Sequence, residues 1–316
     1  MAKATIPDAL KADLPQTKWG KVLATTPVVM TVIATLLAGL SSGEMIRAQY
    51  DRSLAAQEQS KAGDQWGYFQ AKRLRAALQR STLDLLRGTA SVHPLDAKTL
   101  VLSVTGTPGQ AVLATSGGQQ ALDSLTHGSL PSAGPDPVLG APITAVLAAV
   151  DAGQSDAEIT ALLKSVKIAD LASALSSAAA HVRAFDAILK PVTAAIDGLE
   201  KNLVHLPANV TDSAHPLTRD FIAARLGYAA QRYDAESRQN QVIAQLLELQ
   251  VRQSNTSAER HHARSGFFFY GMLAAQLAVI ISTLSMAVQK RNALWAIAAA
   301  AGVFAFAFAV YVYLFV

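Results

Sequence analysis

Residues 267–316 read FFFYGMLAAQLAVIISTLSMAVQKRNALWAIAAAAGVFAFAFAVYVYLFV. This stretch decides the class of protein. Two uncharged runs, 267–287 and 293–316, are each about long enough to cross a hydrocarbon core as a helix, which takes roughly 20 residues. The residues between them, VQKRN, only suffice to turn the chain back, so the two runs predict an antiparallel hairpin of membrane helices. A third run, 22–43, reads VLATTPVVMTVIATLLAGLSSG and is also uncharged. The competing reading is a secretory signal peptide, but signal cores run about 7–15 residues and no A-x-A site follows this longer one. Pro27 lies near its start, where a helix tolerates proline best. Aromatic residues gather at the ends of the runs (Trp19, residues 267–270, Trp295, Tyr311, Tyr313), as at membrane interfaces.

Composition agrees. Of the 316 residues 51% are hydrophobic and only 16% charged, and the apolar residues come in blocks. The absence of cysteine excludes disulfides, thiolate metal sites, iron–sulfur clusters and a cysteine nucleophile. The net charge of +4 arises in two short flanks. Residues 1–21 hold Lys3, Lys11, Lys18 and Lys21 against Asp8 and Asp13, and residues 288–292 hold Lys290 and Arg291. Residues 44–265 carry 21 basic and 21 acidic side chains. Without a basic face on a folded domain, no nucleic-acid partner is expected. With three spans the basic N-terminal tail and the basic VQKRN turn share one side. The positive-inside rule puts both in the cytoplasm and the large domain in the periplasm of a bacterial inner membrane. Arg47, Arg52, Arg252, Arg260 and Arg264 flank the far side, but they belong to a long domain, where the rule weakens.

Residues 44–88 lack proline and read as a long helix continuing out of the first span. Its apolar positions are Ile46, Tyr50 and Leu54, then Trp66, Phe69, Leu74, Ala77, Leu78, Leu85 and Leu86, with Gly88 as the stop. Residues 215–266 mirror this with Leu217, Phe221, Tyr228, Val242, Leu246, Leu249 and Ala263, and flow into the second span. Two such helices predict an antiparallel stalk with coiled-coil-like contacts but imperfect heptads. Within 89–214, residues 105–137 are rich in Gly, Pro, Ser and Thr and read as a loop, with a short strand at 99–104. Helices are expected at 141–152, after the N-cap signal Ser155 with Asp156 and Glu158, and at 168–190, with Pro191 beginning or kinking another to about 204. The expected fold is an all-α membrane protein: three transmembrane helices, a long antiparallel helical stalk and a helical cap.

The segment Asp64-Gln65-Trp66-Gly67-Tyr68-Phe69-Gln70-Ala71-Lys72 resembles a D-x-W-x-Y-x-Q-A-K box placed after the first span in a bacterial membrane-protein family of unknown function. The C-terminal part is similar to that family too: residues 233–236 (Tyr-Asp-Ala-Glu), His261-His262, and a span followed by a basic turn and Leu294-Trp295. The resemblance covers about 22–88 and 217–316, which makes 89–214 an enlarged insert. It implies topology and carries no activity.

The residues expected to mediate interactions are Trp66, Tyr68, Gln70 and Lys72 of the box, and Gly39 and Gly43 of the first span. The box could recognise a partner; the favoured reading is an aromatic lock between the stalk arms, with Gln70 bonding across them, because a buried Trp needs a partner for its N–H. Gly39 and Gly43 form a G-x-x-x-G, which lets helices approach closely. His261 and His262 are adjacent rather than at the i, i+4 spacing of helical metal ligands, so interfacial histidines are preferred to a metal or haem site. His93, His127, His181, His205 and His215 are scattered and read mostly as loop residues. No Walker A, H-E-x-x-H or G-x-S-x-G sequence is present. The Gly-rich segments 105–109 and 116–118 are not expected to lead into a capped helix, as a phosphate loop must. The spans contain no Asp, Glu, Lys, Arg or His, unlike pumps and coupled transporters; Gln276 is their one strongly polar residue. No catalytic residue, cofactor or metal is expected. The expected function is a non-enzymatic structural or accessory subunit, a homo-oligomer or one that docks on other membrane-protein subunits in the lipid bilayer. Two alternatives stay open: a homo-oligomeric channel lined by threonine and serine, whose conductance would be abolished by changes at Gln276 or at Thr31 and Thr35, and a ligand-sensing or enzymatic cap.

Overall fold

The computed structural model describes residues 18–204, 211–287 and 291–315. Residues 1–17 of the N-terminal tail, residues 288–290 of the basic turn and His205 lie outside them, and with them most of the charge argument for orientation. Among the described residues the chain is all-helical: α1 Lys18–Thr89, α2 Ala97–Val104, α3 Pro108–Leu113, α4 Ser116–His127, α5 Ala141–Asp151, α6 Asp156–Leu163, α7 Ile168–Val204, α8 Thr211–Ala287 and α9 Arg291–Phe315. Three of these, α1, α8 and α9, contain stretches long and apolar enough to cross a membrane.

Two sequence expectations fail between α1 and α5. Residues 99–104 are helical, not a strand. The Asp96 carboxylate caps α2 by accepting from the backbone N–H of Lys98 (3.3 Å) and Thr99 (3.1 Å), and Leu100 and Val104, four apart, are buried. The 105–137 segment is not a loop throughout, since it contains α3 and α4. Thr107 and Thr115 cap these helices through their hydroxyls, so both Gly-rich segments do lead into capped helices. Ser155 and Glu158 form a reciprocal capping box on α6. Pro191 lies inside α7 rather than at a helix start.

The chain divides into two compact units, Met1–Ala55 with Gln253–Val316, and Ala56–Arg252. In the first, Ala34, Leu37, Phe268, Ala275, Ala305, Ala309 and Val312 make one buried cluster, and Met30, Ala278 and Ala298 another. Large apolar residues cover the outside: Val28, Val32, Leu36, Leu277, Ile280, Phe304 and Phe306 are all more than half exposed. Alanine fills six of those ten buried positions, and mostly small residues inside with large apolar ones outside fit helices packed in lipid, where there is no hydrophobic gain from burying Leu against Leu. Trp295 Nε1 donates to Thr26 Oγ1 (2.9 Å), tying α9 to α1, and the Ser41 and Ser265 hydroxyls each donate to the other's carbonyl (2.9 and 2.8 Å).

In the second unit α7 and α8 supply both halves of the core. Leu100, Val104, Leu113, Ala121 and Leu125 of α2–α4 pack on Val192, Ile196, Leu199 and Phe221. Ile143, Val146, Ile159 and Leu163 of α5 and α6 pack on Leu171, Leu246 and Leu249, with Ala62 of α1 in the same cluster. Ion pairs and hydrogen bonds link α1 to α8: Trp66 with Glu248, Lys72 with Glu236, Arg80 with Asp234. Residue numbers rise on one helix as they fall on the other.

The inward face of α1 is not the one its large apolar residues suggest. Ile46, Tyr50, Leu74, Leu78 and Leu85 are exposed. The positions that turn inward recur every seven residues and are mostly small: Ala34, Ser41, Ala48, Ala55, Ala62, Phe69, Ala76 and Leu83 are buried or half-buried. On α8 the same period runs Ala223, Ala230, Ser237, Ala244, Val251, Ala258 and Ser265, all buried. Within each unit a seven-residue repeat of this kind keeps one face of a helix on its neighbour, and small side chains there allow close approach.

Candidate functional site

The box lies on α1 within the second unit. Trp66 is half-buried; its indole N–H donates to Glu248 Oε1 at 2.8 Å, and its ring meets Phe69 edge-on, centroids 5.3 Å apart. Burying an indole is favourable only when its N–H is satisfied, and Glu248 satisfies it. Tyr68 and Gln70 are exposed. Gln70 therefore does not provide the cross-link expected of it; it lies about 100° around the helix from its neighbours, and Lys72, two residues on, makes the link instead.

Lys72 pairs with Glu236, a carboxylate only 8% exposed. Arg232 Nε sits 3.3 Å from the other carboxylate oxygen, one turn away on α8. Arg232 then donates to Thr193 Oγ1 (2.9 Å), and Thr193 lies 3.4 Å from the Tyr228 hydroxyl. The Tyr233 ring is faced by Arg232 at 4.4 Å and Lys72 at 5.4 Å. Burial, and secondarily the negative charge of Glu236, holds the Asp186 carboxyl above its ordinary range. Burial likewise raises the Tyr228 phenol. Two cations around one buried carboxylate form a cross-brace of α1, α7 and α8. The sequence alone assigned no pairing role to Glu236, Arg232, Glu248 or Asp186, although Arg232 and Glu236 stand at the i, i+4 spacing of a helical ion pair.

The histidines divide. His261 Nδ1 is 2.5 Å from Glu44 Oε2, its Nε2 is 3.9 Å from Asp51 Oδ2, and His262 is exposed. His181 is inside α7, not in a loop. Among the described residues no group of three or more His, Asp or Glu side chains is placed to hold a metal ion. The glycines of the Gly-rich segment are packing points. A Cβ on Gly117 would come within 3.0 Å of Pro191, and one on Gly118 within 2.0 Å of the Val112 carbonyl oxygen.

In the first unit a Cβ on Gly39 or Gly43 would meet nothing within 4 Å, so neither glycine serves packing within the chain. The close approach is at Gly302, where a Cβ would fall 2.1 Å from Met30 Sδ. Thr31, Thr35 and Gln276 line one open groove of about 470 Å³ with Ala34, Ala38, Val279 and Ile280. The two threonine hydroxyls donate to their own helix, to the carbonyls of Pro27 (2.8 Å) and Thr31 (2.9 Å). Gln276 is exposed.

A family described as a domain of unknown function, DUF4337, matches residues 19–101. The match takes in the first apolar run and residues 64–72; residues 217–316, for which a similarity was also expected, fall outside it. No curated protein and no solved structure matches the chain.

Proposed function

We propose that the chain is a non-enzymatic subunit of the bacterial inner membrane that self-associates, carrying an antiparallel helical stalk with a helical cap in the periplasm. One observation supports this above the rest. Gln276 lies near the middle of the second apolar run, exposed, with no hydrogen-bond partner among the described residues. Lipid tails offer none, and an unsatisfied amide in hydrocarbon costs several kcal/mol. The groove beside it is walled by small residues, which let another helix approach closely. A second copy inserted in the same orientation brings its own Gln276 to the same depth. A side-chain amide both donates and accepts, so two such groups satisfy each other. Outside the span, exposed Leu74, Leu78 and Leu85 follow the 4 and 7 residue spacings of a coiled-coil seam on α1, with Gly67 and Ala71 continuing it.

The chain has no cysteine, so a single Ile280→Cys variant reports the groove directly. Oxidation in native membranes is expected to yield a cross-linked homodimer, reduced several-fold by adding Gln276→Leu. A cross-link only to a different polypeptide supports docking on a larger complex instead. The absence of any cross-link at Ile280→Cys overturns the reading. The channel reading uses the same groove and requires conductance from reconstituted chain that Gln276→Leu abolishes.

A further inference from the structure

We infer that the groove between α7 and α8, roofed by the loop at 130–139, is a binding site for an uncharged amphipathic small molecule bearing a hydroxyl group. This inference concerns the second unit alone and is independent of self-association.

The two helices line the groove at matching positions, i, i+3, i+4 and i+7: residues 178, 181, 182 and 185 of α7, and 235, 238, 239 and 242 of α8. This is one face of each helix. Apolar side chains occupy the ends of both faces, and the polar ones, His181 of α7 and Arg238 and Gln239 of α8, lie at mid-length. The cavity measures about 520 Å³, within the roughly 300–1,000 Å³ typical of small-molecule sites. Gly134 in the roof has φ +97°, a backbone conformation glycine adopts without strain. Apolar walls with a few convergent polar groups form a ligand pocket rather than a packing defect.

Charge decides the class of ligand. Arg238 donates to Asp234 Oδ2 at 2.7 Å, and Asp136 of the roof lies 3.6 Å from His181 Nε2. Arg238 has Asp234 as its partner, and the Asp136 side chain is 96% exposed to solvent, so no buried unpaired charge faces the groove. An ion would enter with no buried counter-charge to offset its desolvation. What remains is Gln239. Its Oε1 has no hydrogen-bond partner among the described residues and is covered by its own surroundings, so a ligand meets it once the side chain turns toward the groove. A buried acceptor left unmatched is costly, so it favours a ligand that brings a donor. A hydroxyl on an apolar body meets both conditions.

The test uses the full chain in lipid nanodiscs and three naphthalene probes of one shape, followed by titration calorimetry with empty nanodiscs subtracted. The expected result is saturable, one-per-chain binding of 2-naphthol. The methyl ether, 2-methoxynaphthalene, should bind about tenfold more weakly, the size of one hydrogen bond with its stranded acceptor, and the anion 2-naphthoate should bind more weakly still. Gln239→Leu removes the acceptor without adding bulk and is expected to make naphthol and its ether bind alike. Ala178→Trp, which fills the groove, should abolish binding of all three; its circular dichroism confirms folding. No saturable binding, equal affinities for naphthol and ether in the wild type, a preference for naphthoate, or naphthol selectivity that survives Gln239→Leu would each overturn the inference.

Discussion

Replacing Gly118 by alanine tests how the second unit is built. A Cβ there would lie 2.0 Å from the Val112 carbonyl oxygen and 2.8 Å from Leu113 Cα. Both obstacles are backbone, so the overlap cannot be relieved by rotating a side chain. The end of α3 must move by more than an ångström, and Leu113 with it, out of the cluster it shares with Val192 and Phe221. Overpacking of this kind costs about 3 kcal/mol, offset by about 1 kcal/mol from alanine's better helix propensity. The net loss of about 2 kcal/mol should lower the melting temperature of a unit this size by about 4–8 °C. Gly63 and Gly67 supply the control. Both lie inside α1 and a Cβ on either meets nothing within 4 Å, so alanine should gain about 0.5–1 kcal/mol at each. Thermal melts by circular dichroism of the full chain in nanodiscs measure all three variants. The packing account is refuted if Gly118→Ala melts with the wild type, or if Gly63→Ala and Gly67→Ala lose as much as Gly118→Ala does.

Further outcomes follow from the paired charges and the close contacts. Glu236→Gln leaves Lys72 and Arg232 without their shared carboxylate, and urea unfolding should show a loss of about 2–3 kcal/mol; an unchanged midpoint would mean that the brace contributes nothing. The Asp186 carboxyl, raised by burial and then by Glu236, binds its proton more tightly folded than unfolded. Stability must therefore fall as pH rises from the unfolded value of 3.8 through the raised folded value. Asp186→Asn should remove that fall and gain on the wild type towards neutral pH, while parallel pH profiles of the two proteins would contradict the shift. Gly302→Leu drives a side chain into Met30. It should disrupt the packing that holds Trp295 on Thr26 and shift indole fluorescence; an unshifted spectrum would show that Met30 moves aside freely.

Much of the architecture was legible because lipid and water impose coarse constraints. Uncharged runs of about 20 residues mark spans wherever they occur, and capping signals such as Ser155 with Glu158 are local chemistry that the structure repeats. The expectation of a loop at 105–137 failed because Gly, Ser and Thr serve two purposes. Thr107 and Thr115 are caps, and Gly117 and Gly118 allow a close approach to Pro191 and Val112 that composition does not reveal. The large apolar residues of α1 misled for a related reason. Leu74, Leu78 and Leu85 have helical spacing, but the face that packs is the alanine series seven residues apart, which a search for large hydrophobic side chains passes over.

Of the six residues singled out for interaction, Trp66 and Lys72 bind across to α8, while Tyr68, Gln70, Gly39 and Gly43 face outward. By itself the sequence determined three runs apolar enough to span a membrane and the helical character, because hydropathy, helix period and capping depend on residues near one another in the chain. Only the tertiary structure decided which carboxylates meet Trp66 and Lys72, that Gln276 shares a groove with Thr31 and Thr35, and that His181 and Gln239 face one cavity. Each of these depends on the rotation and register of one helix against another, and those are set by the whole packed seam rather than by any local stretch.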